Sequence, residues 1–304
     1  MEKSYQGTIP LREWRELLSD MKTRHWKAAL ENPACPVLAK KRKWFTDTAK
    51  ANFYRQLDFN RDDRFLDIGA GSGVISAEMS RHCARGVALD FAEETSRFMK
   101  IRFRQDQLGN LSVVRADALK LPFASRSFGL VILNGVLEWV AASTTGQSCR
   151  SVQIGFLQEA RRCLRPGGKI AIAIENRWDL DHFFGASPHG EPAFVAVMPR
   201  ILARAVHYLR RNQDYRTYIY GCSGYRRILK TAGFRSSRIY LAVPDYYSPR
   251  RADEFTPKNI GIIYRERQAQ YQRKKMLIER VLHGLGLLGY FLPAFYITAE
   301  NPGR

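Results

Sequence analysis

Between residues 64 and 175, five short apolar runs alternate with stretches of helical spacing, and no other feature narrows the possible folds as far. RFLDIG (64–69), GVALD (86–90), LSVVRA (111–116), FGLVILN (128–134) and GGKIAIAIE (167–175) have the length and β-branched content of buried strands. Between them lie GVISAEMSRH, AEETSRFMKIRFRQ and RSVQIGFLQEARRCL, the last with Val152, Phe156, Leu157, Ala160 and Leu164 at helical spacing. Strand–helix repetition of this kind predicts a mostly parallel sheet with helices on both faces, a doubly wound α/β fold. The first strand–helix turn, DIGAGSG, holds Gly69, Gly71 and Gly73 within five positions. Without Cβ atoms the backbone there can curve tightly and approach a ligand, while the following helix offers unpaired N–H groups.

The flanks read differently. Residues 1–63 are helical and basic, an amino-terminal cap, with Phe45, Ala49, Phe53 and Leu57 forming one apolar stripe on a single helix. After Glu175 the alternation loosens through 176–222, a segment rich in Phe, Tyr and Arg whose length suits a lid over an acceptor. A short helix, SGYRRILKTAGF, and a strand, SSRIYLAVPDYY, follow, then a basic helical insertion within 247–290 and a closing strand, FLPAFYITAE. The apolar stretch 281–297 contains His283, three glycines and Pro293, and falls short of the roughly 20 residues that a membrane span needs.

Composition constrains partners more than fold. The formal charge of +20, from 49 Lys and Arg against 29 Asp and Glu, permits nucleic acid, an anionic membrane surface or a phosphorylated substrate, and equally a merely solvated basic surface. The segment 264–280, with Arg265, Arg267, Arg273, Lys274, Lys275 and Arg280, is the place where an anionic membrane would be met. Cys35, Cys83, Cys149, Cys163 and Cys222 are odd in number and never form a C-x-x-C pair, so neither a disulfide framework nor a bound metal is expected. The charged start, MEKSYQGTIPLREWRELL, has no secretory pattern, and a cytoplasmic protein, peripheral to the membrane if the basic segment docks there, is expected.

Three acids single out the ligand. A dinucleotide fingerprint is spaced G-x-G-x-x-G, whereas this turn is G-x-G-x-G and follows Asp67, whose carboxylate would repel a pyrophosphate and attract an ammonium. Asp90 ends the second strand, where a carboxylate can accept from both ribose hydroxyls, and Asp117 follows the third, within reach of an exocyclic adenine amine. Singly each acid reads better as a strand-end or helix cap, and jointly they describe a nucleoside pocket. A carboxylate at a strand end is expected to contribute little to the core.

With these residues in place the chain resembles a class I S-adenosylmethionine-dependent methyltransferase. FLDIGAGSG, VALD, ADALKLPF, FGLVILNGVLEWV and LRPGGKIAIAIENR stand in that family's order and spacing from about residue 64 to 177. The resemblance implies a seven-stranded sheet with one antiparallel strand, insertions after strands five and six, and a methyltransferase domain over 64–304. It implies that Gly69 and Gly71 pass close to the cofactor's amino acid part and that Asp67 helps bind its ammonium. It further implies that Asp90 holds the ribose, Asp117 the adenine amine and the Ala118 N–H the ring nitrogen, with the Asn134 carbonyl near the methionine portion. NGVLEWV and IENRWDLDHFFG resemble the type-eleven bacterial subgroup associated with glycan or polysaccharide assembly, although Trp139 stands where many relatives carry histidine.

Transfer of a methyl group from a sulfonium has a neutral leaving group, so alignment and exclusion of water supply most of the effect. A base would help an oxygen acceptor, and His182 and His189 are the candidates. Asn176 and Arg177 follow the fifth strand where an acceptor would sit, Arg177 either binding an anionic group or pairing with Asp179 or Asp181. O-methylation of a small molecule or of a glycan or lipid-linked acceptor is expected. RNA modification, suggested by KKRK (40–43), and a non-catalytic interaction subunit are the alternatives.

Overall fold

The computed structural model describes residues 9–60, 62–142, 144–187, 191–268 and 273–303. Eight strands are present: β1 (Arg64–Ile68), β2 (Arg85–Asp90), β3 (Leu111–Arg115), β4 (Phe128–Asn134), β5 (Leu164–Glu175), β6 (Arg235–Val243), β7 (Arg251–Glu254) and β8 (Ala294–Glu300). Their order in one sheet is β3-β2-β1-β4-β5-β8-β6-β7. β2 runs parallel to both β1 and β3, while β8 enters reversed between β5 and β6 and pairs antiparallel with each. The closing strand was legible in FLPAFYITAE, and its reversal is the one the family resemblance implied. The eighth strand, β7, was not: its four residues, RADE, carry no apolar pattern and hang antiparallel on the edge of β6.

The described helices are α1 (Leu11–Asp20), α2 (Trp26–Ala29), α3 (Pro36–Lys40), α4 (Arg42–Thr46), α5 (Asn52–Arg55), α6 (Val74–Met79), α7 (Glu93–Gln105), α8 (Cys149–Cys163), α9 (Arg200–Arg211), α10 (Cys222–Thr231), α11 (Pro257–Gln268) and α12 (Arg273–Gly284). Two compact units divide the chain, Met1–Ile132 with Arg162–Gly168, and Leu133–Arg161 with Lys169–Arg304.

In the first unit the expected single helix over 45–57 is broken. Asp47 leaves the helical region at ψ 97° and its carboxylate accepts from Ala49 N–H, which ends α4 and starts a 3-10 turn. Phe45 and Phe53 are still buried, although they belong to separate short helices. Phe45 joins Trp14, Trp26 and Phe98 of α7 in an edge-to-face cluster with centroids 5.1 to 6.2 Å apart. Glu13 of α1 is buried and accepts from Val37 N–H and Leu38 N–H at 3.0 and 2.9 Å, so a carboxylate from one helix caps the start of α3.

In the second unit the described part of the basic stretch is helical, as α11 and α12. Arg267 of α11 is 4% exposed and donates to Glu279 Oε1 of α12 at 2.9 and 2.6 Å, and Lys275 pairs with Asp181 at 2.6 Å. Two of the six basic residues assigned to a membrane surface are thus engaged inside the protein, because a buried guanidinium requires a carboxylate partner.

Candidate functional site

The first unit gathers the glycine turn and the acids. Gly69, Gly71 and Gly73 all adopt positive φ, at 69°, 56° and 72°, a region that L side chains rarely occupy. Gly69 N–H and Ala70 N–H both donate to Leu89 O, at 2.7 and 3.0 Å, which folds the turn back onto β2. A Cβ on Gly71 would lie 2.8 Å from the Trp44 indole, and one on Gly73 would lie 2.7 Å from Phe103. The turn is therefore walled by the amino-terminal helices on one side and by α7 on the other. Arg102 of α7, 4% exposed, fixes that wall by donating to Phe45 O and Ser72 O at 3.0 and 2.8 Å. Its guanidinium also lies 4.2 Å from the Trp26 ring, and burial lowers its pKa to about 10. Gly71→Ala combines a disfavoured φ with the clash on Trp44, so we expect it to abolish ligand binding and lower the melting temperature by several degrees, read by calorimetry and thermal denaturation.

Asp90 is the post on which this turn hangs. Its Oδ2 accepts from Gly71 N–H at 2.8 Å, and its Oδ1 accepts from Ala92 N–H at 3.0 Å and from the Thr95 hydroxyl at 2.8 Å. One carboxylate, 7% exposed, therefore ties the loop to the start of α7. That corrects the expectation that a strand-end carboxylate matters little to the core. Burial pushes its pKa upward, and the hydrogen bonds from Ala92 and Gly71 oppose the shift. A carboxylate offers about four acceptor positions, so three donors leave capacity for a ligand hydroxyl.

Asp67, which the sequence assigned to a ligand ammonium, is enclosed by protein. It is 1% exposed, and Ser76 of α6 donates to its Oδ2 at 2.6 Å. Burial raises its pKa to about 7, opposed by the Ser76 hydrogen bond and reinforced by the charge of Asp90. Asp117 is exposed in the turn after β3, with Oδ1 accepting from Leu119 N–H at 2.9 Å, and Ala118 follows it half-buried. Ala116 N–H donates to Asp90 O at 3.2 Å, which brings the ends of β2 and β3 together. Phe91, 59% exposed directly after Asp90, adds an apolar surface that the sequence reading passed over. Trp44 and Arg102 were also missed, since only the tertiary fold brings them onto the glycine turn.

The second unit holds Asn134, assigned to the cofactor, and the residues assigned to an acceptor. Asn134 ends β4 and is followed by Gly135 at φ 67°, whose N–H donates to Ala173 O of β5 at 2.9 Å. Asn176 is fully buried and is not placed to meet a ligand. Its Nδ2 donates to Tyr290 O and Leu292 O at 2.8 and 2.7 Å, and its Oδ1 accepts from Trp178 N–H at 3.0 Å. Arg177 neither stands open to an anion nor pairs with Asp179 or Asp181. Its Nε and Nη2 donate to Ala196 O and Met198 O at 2.8 and 2.7 Å, stapling the segment that leads into α9. Both residues satisfy buried carbonyls, a requirement no local pattern reveals.

His182 is 4% exposed and helps line a cavity of about 220 Å³ with Glu175, Asp179, Asp245, Tyr246 and Tyr247. His182 Nδ1 lies 3.2 Å from Arg177 O. A carbonyl can only accept, so Nδ1 carries the proton and Nε2 of the neutral ring is left as an acceptor. Burial raises Asp179 to about pH 6, while the neighbouring His182 pulls the other way. His189 lies outside the described residues. Among the described residues no cluster of His, Cys, Asp and Glu could hold a metal.

Residues 66–172 match the family described as methyltransferase domain. A demethylmenaquinone methyltransferase of Corynebacterium urealyticum is 33% identical over 119 residues, 39% of this chain and 44% of the relative. A ubiquinone biosynthesis O-methyltransferase of Parvibaculum lavamentivorans is 32% identical over 124 residues, 40% of this chain and 44% of the relative. The chain thus spans less than half the length of these curated relatives. They are quinone methyltransferases by name, and the expected kinship with glycan assembly finds no support in them. Among solved structures, phospholethanolamine N-methyltransferase 2 of Haemonchus contortus, in complex with phosphomonomethylethanolamine and S-adenosylhomocysteine, superposes with a TM-score of 0.54 at 13% identity. That superposition covers 95% of this chain and 60% of the other. A SAM-dependent methyltransferase of Thermotoga maritima gives 0.51 at 12% identity over 87% of this chain and 95% of that one. At these identities the likeness is one of fold alone. The motif order, the strand order and the matched segment agree: residues 66–172 match a methyltransferase domain, within a fold shared with S-adenosylmethionine-dependent methyltransferases.

Proposed function

We propose that this chain methylates a hydroxyl on a small ring-bearing acceptor of the quinol or phenol class. The observation that carries methyl transfer is the bond from Gly71 N–H to Asp90, which builds the glycine turn and a nucleoside-type acid into one unit. In this reading Asp90 accepts from the ribose, Asp117 from the adenine amine, Ala118 N–H donates to the ring nitrogen, and Gly69, Gly71 and Asp67 serve the amino acid part. Bound S-adenosylmethionine supplies an electrophilic methyl group whose departure leaves a neutral thioether. Residues 1–63 cap the turn through Trp44, the methyltransferase domain runs over 64–304, and 176–222 together with 247–290 form the acceptor side.

The cavity beyond β5 supports this acceptor class. Glu175, Asp179 and Asp245 can accept from ring hydroxyls, and the half-exposed Tyr247, stacked on Tyr246, lines the cavity with an aromatic ring. His182 Nε2 is the atom that would take the acceptor proton. The names of the quinone relatives favour an aromatic ring over a sugar. The RNA reading gains nothing, since Arg42 of KKRK pairs with Glu31 at 2.9 Å and no nucleic-acid module is formed among the described residues.

Transfer of labelled methyl groups into extract fractions of lipid, glycan, RNA and small molecules tests this reading, with label expected in a quinol-bearing lipid or small-molecule fraction. Label confined to RNA or glycan would overturn the acceptor class. His182→Gln is expected to lower kcat by roughly 10²-fold or more, with cofactor affinity unchanged. Activity is also expected to depend on pH near 6, where Asp179 takes up its proton, and Asp179→Asn should change that dependence.

A further inference from the structure

Two helices of the second unit are built inside out. A surface helix ordinarily buries its apolar stripe and exposes its charges. In α9, RILARAVHYLRR, the inward positions are instead Ala203 and His207, packed among Val195, Met198, Tyr215 and Tyr218. His207 is 6% exposed, pairs with Glu191 at 2.8 Å and approaches Gln213 O at 2.8 Å. Arg200 also turns inward, donating to Ile219 O at 2.5 Å and lying 3.9 Å from the Tyr218 ring. On the opposite side Ile201 and Leu209 are each 84% exposed, with Leu202, Ala205 and Tyr208 completing an outward apolar stripe. In α12 the buried, ion-paired Glu279 faces inward, while Leu277, Ile278 and Val281 face out, with Leu285 continuing the stripe just beyond the helix.

The inversion is local. Of the seventeen large apolar side chains exposed among the described residues, fourteen fall within 178–209 or 277–290, and only Leu11 and Phe91 belong to the first unit. The edges of both stripes are basic. α9 contains four arginines and no acid; Arg204 pairs with Asp214 at 2.8 Å, Arg210 and Arg211 are exposed, and α12 adds exposed Arg280. Outward aliphatics bordered by cations match an interfacial helix, in which the apolar side enters the acyl boundary and the cations meet lipid phosphates. No described helix is long and apolar enough to cross a membrane, so contact would be with the surface only.

We propose that α9 and α12 dock this chain on an anionic lipid bilayer through their outward stripes. This places the docking surface mainly on α9, which the basic segment 264–280 does not include, and assigns the aliphatic residues as much of the attraction as the charges. The proposal stands apart from the methyl-transfer reading and does not require it.

Cosedimentation of the full chain with vesicles of phosphatidylcholine alone, or with added phosphatidylglycerol, tests the proposal. Binding is expected on the anionic vesicles, weak on the neutral ones, and reduced by salt. Ile201→Glu with Leu209→Glu should cut partitioning by roughly tenfold or more, since it both removes buried apolar area and repels phosphate. Leu277→Glu with Val281→Glu should act in the same direction. Thermal unfolding and cofactor titration of both variants should match those of the parent chain, because these side chains touch solvent. A Leu209→Trp variant should show a blue-shifted emission on adding anionic vesicles. Failure to sediment, or unchanged binding in the glutamate variants, overturns the proposal. So does a fall in melting temperature in those variants, or a concentration-dependent dimer in light scattering that they disrupt, since either would mean that protein covers the stripe.

Discussion

Asp90→Ala is expected to abolish measurable binding of S-adenosylmethionine and to destabilise the fold by about 3 kcal/mol. The estimate counts three hydrogen bonds to a buried charged acceptor, at roughly 1.5–3 kcal/mol for such a bond, discounted because the freed donors regain water. Gly71 N–H, Ala92 N–H and the Thr95 hydroxyl lose their common acceptor together, so loop and helix start loosen at once. Asp90→Asn separates the two effects. Its carbonyl can retain some of these donors, but its amide hydrogens must face others, and an intermediate loss of stability with a severe loss of binding is expected. Denaturant melts and calorimetric titration read the two quantities independently. A variant that binds cofactor like the parent would remove Asp90 from the site.

Asp67→Asn should have an effect that depends on pH. The folded-state pKa of Asp67 is raised from 3.8 to about 7. Its contribution to stability is therefore full below about pH 4 and is lost as pH rises through about 7. At pH 8 the parent chain carries a buried carboxylate with one hydroxyl donor, Ser76, at a cost on the order of 4 kcal/mol, which is an upper bound. The asparagine variant, which does not titrate, should be the more stable of the two at pH 8, and the difference should shrink or vanish near pH 5. Cofactor binding should respond oppositely. A ligand ammonium nearby would favour the ionised carboxylate, so the variant is expected to bind roughly tenfold more weakly, in line with a charge pair of about 1.4 kcal/mol. Parallel stability curves for the two proteins from pH 5 to 8 would show that Asp67 does not titrate in this range.

The central strands were readable because buried parallel strands leave continuous apolar runs, and the limits of β4 coincide with FGLVILN. The acids were readable as a set because each lies at or next to the carboxyl end of a strand. What joins them was not. The Gly71–Asp90 bond links residues 19 apart, and the burial that raises Asp67 depends on how α6 packs. Asn176 and Arg177 misled for a related reason: polar residues after a strand look like ligand contacts, and only the folded chain shows the carbonyls they satisfy.

Helices α9 and α12 illustrate a deeper limit. Periodicity reports that a helix has an apolar side, but not which side meets the protein. The residues of α9 have the same spacing whether Ile201 and Leu209 face in or out, and the decision lies with Ala203 and His207, whose partners are Glu191, Gln213 and Tyr215. The broken helix at Asp47 is the reverse case, in which a regular stripe was overruled by one local cap.

Calorimetric titration of the folded chain with S-adenosylmethionine is the most direct test of the methyl-donor site. One cofactor bound per chain, with binding lost in Asp90→Ala and weakened in Asp67→Asn, is the expected result. A folded chain, intact by circular dichroism and cooperative in melting, that gives no heat with S-adenosylmethionine or S-adenosylhomocysteine would contradict it.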